Sequence, residues 1–488
     1  MKFEVLGLIV VFLGCIGWVI GSQFAIWLFI TSTLLGASAA ITLTSLGYAT
    51  IQPAYLLLGF IGLWALVHRS SVRLITRMLA FPRAGFWLLL AAGYAVLSAI
   101  FFPRLFRGAT YVFAVARTDV GTGIIETPLA PVSGNITQTV YFLGDLVCFL
   151  VFYVYASKPA DFKVIVKAIL GCAAINLTFV LMDLANYWTN LPNLLSFVRN
   201  GSYAMLDEGM VFGFKRIVGS FPEASTFAYC TTGLFAFCTI LWLEKVYSRL
   251  VGALAVLSLV VLAFSTSSTG YAGVCGFLLL LVVIKATQVL TRPVTGPTLA
   301  FVTVAPVLLL TLIMGLRLHQ PTWDVVDEVV NGAIINKLSS SSGVERVRWN
   351  SQALINFADT YAMGGGVGSV RASSFPLAVL GNIGAIGALT YGGFLFAVLF
   401  GRKNRWAASY PAACQSAARW ACVAQLIGAS VSGSFLDLGL LFFIFAALAC
   451  AGPDADRRPA AALSAERGSG RAFFADRRIE ARGRQIES

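Results

Sequence analysis

Apolar runs of bilayer-spanning length fill most of this chain, and no soluble fold accommodates them. A helix needs roughly 20 apolar residues to cross a bilayer. Runs of that kind lie at about 4–21, 24–44, 49–67, 85–103, 136–156, 164–184, 224–242, 250–267, 269–289, 298–317, 375–400, 417–433 and 436–452. The expected fold class is an all-α polytopic membrane protein with about 12–13 transmembrane helices and short helices in its outer loops. Of 488 residues, 58% are hydrophobic and 12% charged, whereas soluble domains carry roughly 25% charged residues. The first apolar run is closely followed by another, which predicts retained helices and no cleaved signal peptide.

The formal net charge is +13, and its placement carries more meaning than its size. Arg69, Arg73, Arg77 and Arg83 lie in a stretch without acids, as do Arg402, Lys403, Arg405 and Arg419. The positive-inside rule makes both stretches cytoplasmic. The charge therefore reports orientation and gives no argument for nucleic acid. Thirteen spans would put the N-terminus outside; a re-entrant segment among the first three would put it inside. Counting outward from the basic stretches makes 104–135, 185–223 and 318–374 extracytoplasmic. Residues 1–452 are expected to form one transmembrane domain, and 453–488, rich in Ala, Arg and acids, a disordered cytoplasmic tail.

Cysteine and histidine offer little chemistry. Eight of the nine cysteines sit in apolar runs, Cys414 lies in a basic loop, and none forms a CxxC. They read as small core residues. His68 and His319 are far apart, so no metal site and no cofactor are expected. Asp145, Asp183 and Asp437 lie in or near apolar runs. Acids inside a membrane are functional candidates by default, but these are not spaced as a relay.

The polar residues concentrate in islands. The first begins at Ser339-Ser340-Ser341-Ser342-Gly343-Val344-Glu345-Arg346-Val347-Arg348-Trp349. Ser342 and Glu345 have capping-box spacing, which predicts a helix from about Gly343 to about Ala362. At 100° per residue, Arg346 and Arg348 stand roughly 200° apart on it. Arg348 is three residues from Glu345, an ordinary helix ion-pair spacing, so Arg346 is the better substrate contact. Arg348 is its structural companion and a secondary binding candidate. Both could equally be solvated loop charges. Gly364-Gly365-Gly366-Val367-Gly368 follows; Gly364 and Gly366 could bring backbone amides close to an anion, or simply reverse the chain. Arg371 comes next, near the expected start of a helix whose dipole favours negative charge.

The second island is Lys215-Arg216-Ile217-Val218-Gly219-Ser220-Phe221-Pro222-Glu223, immediately before a span. Guanidinium forks match phosphate oxygens. Glu223 could act as a general base on a hydroxyl, or be an N-terminal acid paired with the dipole or with Arg216. The third island, Ser265-Thr266-Ser267-Ser268-Thr269-Gly270, joins two spans. Its hydroxyls, Ser267 in particular, could bind sugar or phosphate, or could satisfy backbone groups in a tight interhelical turn.

Over roughly 210–440 the chain resembles the O-antigen polymerase and O-antigen ligase superfamily, and within it the Wzy-type exopolysaccharide polymerases. Three signatures carry the resemblance. Arg216-Ile-Val-Gly219-Ser-Phe221-Pro222-Glu223 resembles the family's Arg-x-x-Gly-x-Phe element before a span. Ser265 to Gly270 resembles its serine turn. Arg346-Val-Arg348-Trp349, with Gly364 to Gly368 and the Gly384–Gly387 span, resembles its large-loop arginine and the glycine element behind it. The resemblance implies a GT-C-like, metal-independent glycosyltransferase without nucleotide sugar. It further implies a bacterial inner-membrane protein with its active face in the periplasm, acting on repeat units carried on undecaprenyl diphosphate. A chain-length regulator and a flippase would be companions, and the bilayer the solvent. Two departures matter. Thr269 stands where many ligases have an arginine, and Ser373 and Ser374 stand where ligases carry a histidine. The second favours polymerase over ligase.

On this reading Arg216 and Arg346 bind the diphosphate with Arg371 assisting, Lys215 lies alongside, and Glu223 is the base for the acceptor hydroxyl. Fixed cations stabilise a leaving diphosphate without a metal. The competing readings are a ligase that moves finished glycan to a lipid or protein acceptor, and a flippase or other transporter of lipid-linked sugars. Transporters often show repeated halves with midplane charges; here no half-repeat is visible and the polar residues gather in outer loops.

Overall fold

The computed structural model describes residues 2–44, 49–118, 121–189, 193–201, 210–211, 214–291, 296–318, 341–401 and 409–452. The expected tail 453–488, the first part of the large outer loop and Ser339–Ser340 lie outside the described residues. Within them the chain is mostly helical. The helices are α1 Val5–Ile20, α2 Ser22–Ser32, α3 Pro53–Val67, α4 Arg69–Met78, α5 Ala84–Leu105, α6 Ser133–Ala156, α7 Pro159–Trp188, α8 Ala224–Leu243, α9 Ser248–Phe264, α10 Ser268–Thr291 and α11 Gly296–Leu318, followed by α12 Ser341–Asp359, α13 Phe375–Phe400, α14 Tyr410–Ser432 and α15 Leu440–Cys450.

Six of these, α5, α6, α7, α8, α10 and α13, are long and apolar enough to cross a membrane, which makes this a multi-pass membrane architecture. Among the described residues this makes six spans, or seven if the bent pair α3–α4 is one span, against the 12–13 expected, and three of the expected runs depart from a single straight helix for local reasons. The run 24–44 is not one helix. Thr31, Ser32 and Thr33 turn their hydroxyls back onto carbonyls three or four residues earlier, a competition that ends helices. The β-branched stretch Ile41–Leu43 then becomes β2, the middle strand of an antiparallel sheet with β1 Lys2–Phe3 and β3 Ala49–Ile51. The run 49–67 becomes α3, which bends by 103° into α4. Helix α4 carries Arg69, Arg73 and Arg77 exposed on its surface. The run 436–452 yields only α15, whose 11 residues span about 16 Å at 1.5 Å per residue, half a bilayer core.

Helix α8 lies at the centre, 83% of its apolar window being buried. It packs chiefly on α14 and α9, while α5 packs on α13 and α6 on α15. Phenylalanines fill the middle: Phe149 meets Phe394 edge-on at 5.3 Å, and Phe394 stacks on Phe443. Helix α14 is rich in alanine and brings Gln415, Arg419 and Gln425 inside. The small side chains let it approach α8 closely, as polar-lined helices do in membranes.

The loops sort to opposite ends. Residues 104–135, expected to be a charge-balanced loop, contain a hairpin of β4 Tyr111–Thr118 and β5 Gly121–Pro128. Gln352 and Asn356 of α12 donate to the Tyr111 carbonyl at 2.7 and 2.6 Å. Asn135 donates to Val367 O and Ser369 Oγ. The hairpin, α12 and the glycine loop thus share one end, where Arg346 of α12 also acts on Arg216. The basic stretch around Arg77 and Arg83 lies at the other, near Tyr153 and Cys450.

Candidate functional site

The site is built from two loops. The first hangs on Asp183, near the C-terminal end of α7 and fully buried. Its Oδ1 accepts from Arg199 at 2.6 Å and from Lys215 at 2.5 Å. Its Oδ2 accepts from the Val218 and Gly219 amides at 3.0 and 3.1 Å. A buried carboxylate with two cations and two amides is fully satisfied. Gly219 has φ +57, a conformation that glycine takes without strain. This knot fixes the backbone on either side of Arg216. It also takes up Lys215, which therefore does not join Arg216 as an expected substrate contact.

Four residues later Glu223 precedes α8. Its Oε1 accepts from Ser225 Oγ and from Thr226 Oγ1, the latter at 3.2 Å. These bonds hold the carboxylate at the helix start, where the dipole favours it.

The second loop brings Arg346, Trp349 and Arg371. The expected helix exists as α12, and Tyr361 and Ala362 reverse the chain after it in left-handed conformations, φ +53 and +62. Arg346 is half-buried and Arg348 exposed, as helical phase requires. The expected Glu345–Arg348 ion pair does not form within 4 Å among the described residues. The Glu345 charge bears instead on Arg371. Arg371 lies across the Trp349 ring, 4.6 Å from its centroid, a cation–π contact.

Electrostatics tie the loops together. Burial lowers the Arg216 pKa; the Glu223 charge pushes it up and the Arg346 charge pushes it down. Burial also lowers Arg371, while Glu223 and Glu345 push it up. Glu223 therefore acts on both Arg216 and Arg371, Glu345 acts on Arg371, and Arg346 acts on Arg216, so three cations and two acids from the two loops share one field. Among the described residues no arginine closes to an ion pair with Glu223. The Nε atoms of Arg216 and Arg371 are sealed from solvent and have no hydrogen-bond partner. Such a cluster can bind a multivalent anion through forked donors while Glu223 remains free to accept a proton.

The glycine loop has a different task from the one expected. Gly364 N bonds Thr360 Oγ1, Gly366 N bonds Asn382 O, and Gly368 N bonds Asn382 Oδ1. The amides are spent inside the protein, so Gly364 and Gly366 do not offer them to a ligand. The loop clasps a break in α13 at Gly384, φ +60 and ψ −160, where Ala385 N bonds Ala362 O. A Cβ on Gly366 would stand 2.7 Å from Pro103 and one on Gly368 2.3 Å from Gly134 O. Asn382 is the pin, donating to Val370 O and Ala378 O as well. The clasp sets the exit direction of Arg371.

The serine turn satisfies only part of its hydroxyls, and Thr266 Oγ1 is buried without a hydrogen-bond partner. Ser265 Oγ donates to Leu262 O, and Thr269 Oγ1 donates to Ser432 Oγ on α14. Ser267 is buried with its Oγ unpartnered. A cavity of about 110 Å³ runs from Glu223, Ser225, Thr226 and Tyr229 past Ser432 and Gly433 to Asp437.

Sequence reasoning missed Asp183 with Arg199, the Trp349 platform under Arg371, and Asn382. An acid at the end of an apolar run, and an asparagine between Gly381 and Gly384, were the available signals. Neither states its partner. Among the described residues no group of three or more His, Cys, Asp or Glu could hold a metal. The chain matches no protein-family model, and no curated protein matches it.

Proposed function

We propose that this chain is a membrane-embedded glycosyltransferase that polymerises polyprenyl-diphosphate-linked oligosaccharide repeat units. It would work at the periplasmic face of a bacterial inner membrane, with a GT-C-like arrangement of helices. The observation that carries this reading is a pair of guanidinium groups, Arg216 and Arg371, whose Nε atoms are buried without a partner, with Glu223 acting on both and Arg346 acting on Arg216. It sits at one end of an apolar bundle whose walls suit a lipid tail.

The chemistry follows from charge. The acceptor hydroxyl oxygen attacks the anomeric carbon of the donor sugar. The bond from that carbon to the diphosphate oxygen breaks, and the diphosphate leaves with the bonding electrons. Glu223 takes the hydroxyl proton. Negative charge grows on the leaving oxygens, and half-buried guanidinium groups stabilise it more than water-exposed ones would.

The test is reconstitution of the full chain in liposomes with a lipid-diphosphate-linked repeat unit and no other protein. A ladder of lengthening lipid-linked glycan supports polymerisation. Transfer of preformed glycan to a different acceptor without lengthening would make the protein a ligase. Movement of the substrate across the bilayer without new glycosidic bonds would make it a transporter. Either result overturns the proposal.

A further inference from the structure

The cavity lined by Glu223 is lined also by a second, half-buried carboxylate, Asp437. Between α14 and α15 the chain runs non-helically through residues 433–439. Irregular backbone at membrane depth needs internal partners. Tyr391 and Tyr229 supply them, donating to Leu436 O at 3.0 Å and Leu438 O at 2.8 Å.

Asp437 sits in this segment. Its Oδ2 accepts from the Tyr55 hydroxyl at 3.0 Å, and its Oδ1 from the Gly439 amide at 2.5 Å. Facing it is Asp145, midway along α6 and fully buried. Both Asp145 oxygens are sealed from solvent and receive no hydrogen bond from any described donor. Shared neighbours place the Asp437 carboxyl beside it: Tyr55, whose hydroxyl bonds Asp437, packs its ring on Tyr141 of α6 at 4.7 Å between centroids, and Cys148, three residues beyond Asp145, donates to Leu440 O. Two carboxylates are both acceptors, and nothing joins them unless one carries a proton. The other titratable groups turned toward the pair are Tyr55 of α3, Tyr141 and Cys148 of α6, Tyr229 of α8 and Tyr391 of α13. None is a cation, and among the described residues no Lys, Arg or His pairs with either acid. Like charges in contact do not both ionise in a low-dielectric interior.

We infer that Asp145 and Asp437 form a proton-binding site that holds one proton between two carboxyls and exchanges it through the cavity leading to Glu223. The site is independent of the glycan reading, because its ligand and its readout involve no sugar.

Infrared spectroscopy of the full-length protein in detergent tests it. At about pH 7 free Asp and Glu are ionised, so a protonated-carboxyl C=O band reports a held proton. The wild type should show the band, and transfer to heavy water should shift it. Asp145→Asn and Asp437→Asn should each remove it. Tyr55→Phe, which deletes one hydrogen bond to Asp437, should move its frequency without abolishing it. A wild type without the band, or a band untouched by all three substitutions, overturns the assignment. A band that resists exchange in heavy water overturns the route through the cavity. Loss of the band on adding sodium at constant pH would make the ligand a metal cation and overturn the proton.

Discussion

The guanidinium of Arg371 lies 4.6 Å from the centroid of the Trp349 ring. The two residues come from different segments of the outer loop, one from α12 and one from the turn after the glycine clasp. Stacking fixes the plane of the fork and leaves its edge free for an anion. Such contacts contribute about 0.5–2 kcal/mol, depending on desolvation. Arg371→Lys keeps the charge but loses the planar fork. It should lower polymerisation by about tenfold. Trp349→Ala should match it and Trp349→Phe should keep most of the rate, measured as turnover of lipid-linked repeat units at equal protein.

Arg216→Ala and Arg346→Ala each remove a cation that acts on the same space. Groups that stabilise developing charge in a partly dewatered site are worth about 10²-fold in rate. Each variant should therefore leave chiefly single repeat units in a deletion background, on a gel of lipid-linked glycan at matched expression. Full-length polymer from both would remove these residues from the site.

Asp183→Asn tests the knot beneath Arg216. The substitution keeps shape but removes the charge that Lys215, only 10% exposed, and Arg199 both bond. Breaking a buried ion pair on one side costs about 3–5 kcal/mol. Thermal unfolding in detergent should show a clear loss of stability, and limited proteolysis should cut first near 199–219.

Gly366→Ala and Gly108→Ala separate crowding from backbone strain. Both glycines have positive φ, +95 and +74. A Cβ at Gly108 meets nothing within 4 Å, whereas one at Gly366 meets Pro103 and Ser98 O within 2.8 Å. Gly108→Ala should cost about 1–2 kcal/mol from the left-handed backbone alone. Gly366→Ala should cost more and should misplace Arg371, read as lower thermal stability together with lower turnover.

The α12 helix, the opposed faces of Arg346 and Arg348, and the separation of the basic stretch around Arg77 and Arg83 from the polar loops were all legible in the chain. Hydropathy, helical phase and the exclusion of charge from lipid act locally, so sequence alone determined them. Sequence did not reveal that the helix in 24–44 ends early and the one in 436–452 starts late. Their composition is apolar, and the non-helical link 433–439 becomes tolerable only when tyrosines from other helices satisfy its backbone. Tertiary structure likewise decided that Lys215 belongs to Asp183, that Gly364 and Gly366 clasp α13, and that Asp145 meets Asp437. Each of those pairings joins residues remote in the chain. Their energies depend on burial and on which donors and acceptors packing brings together, and a one-dimensional pattern does not encode either.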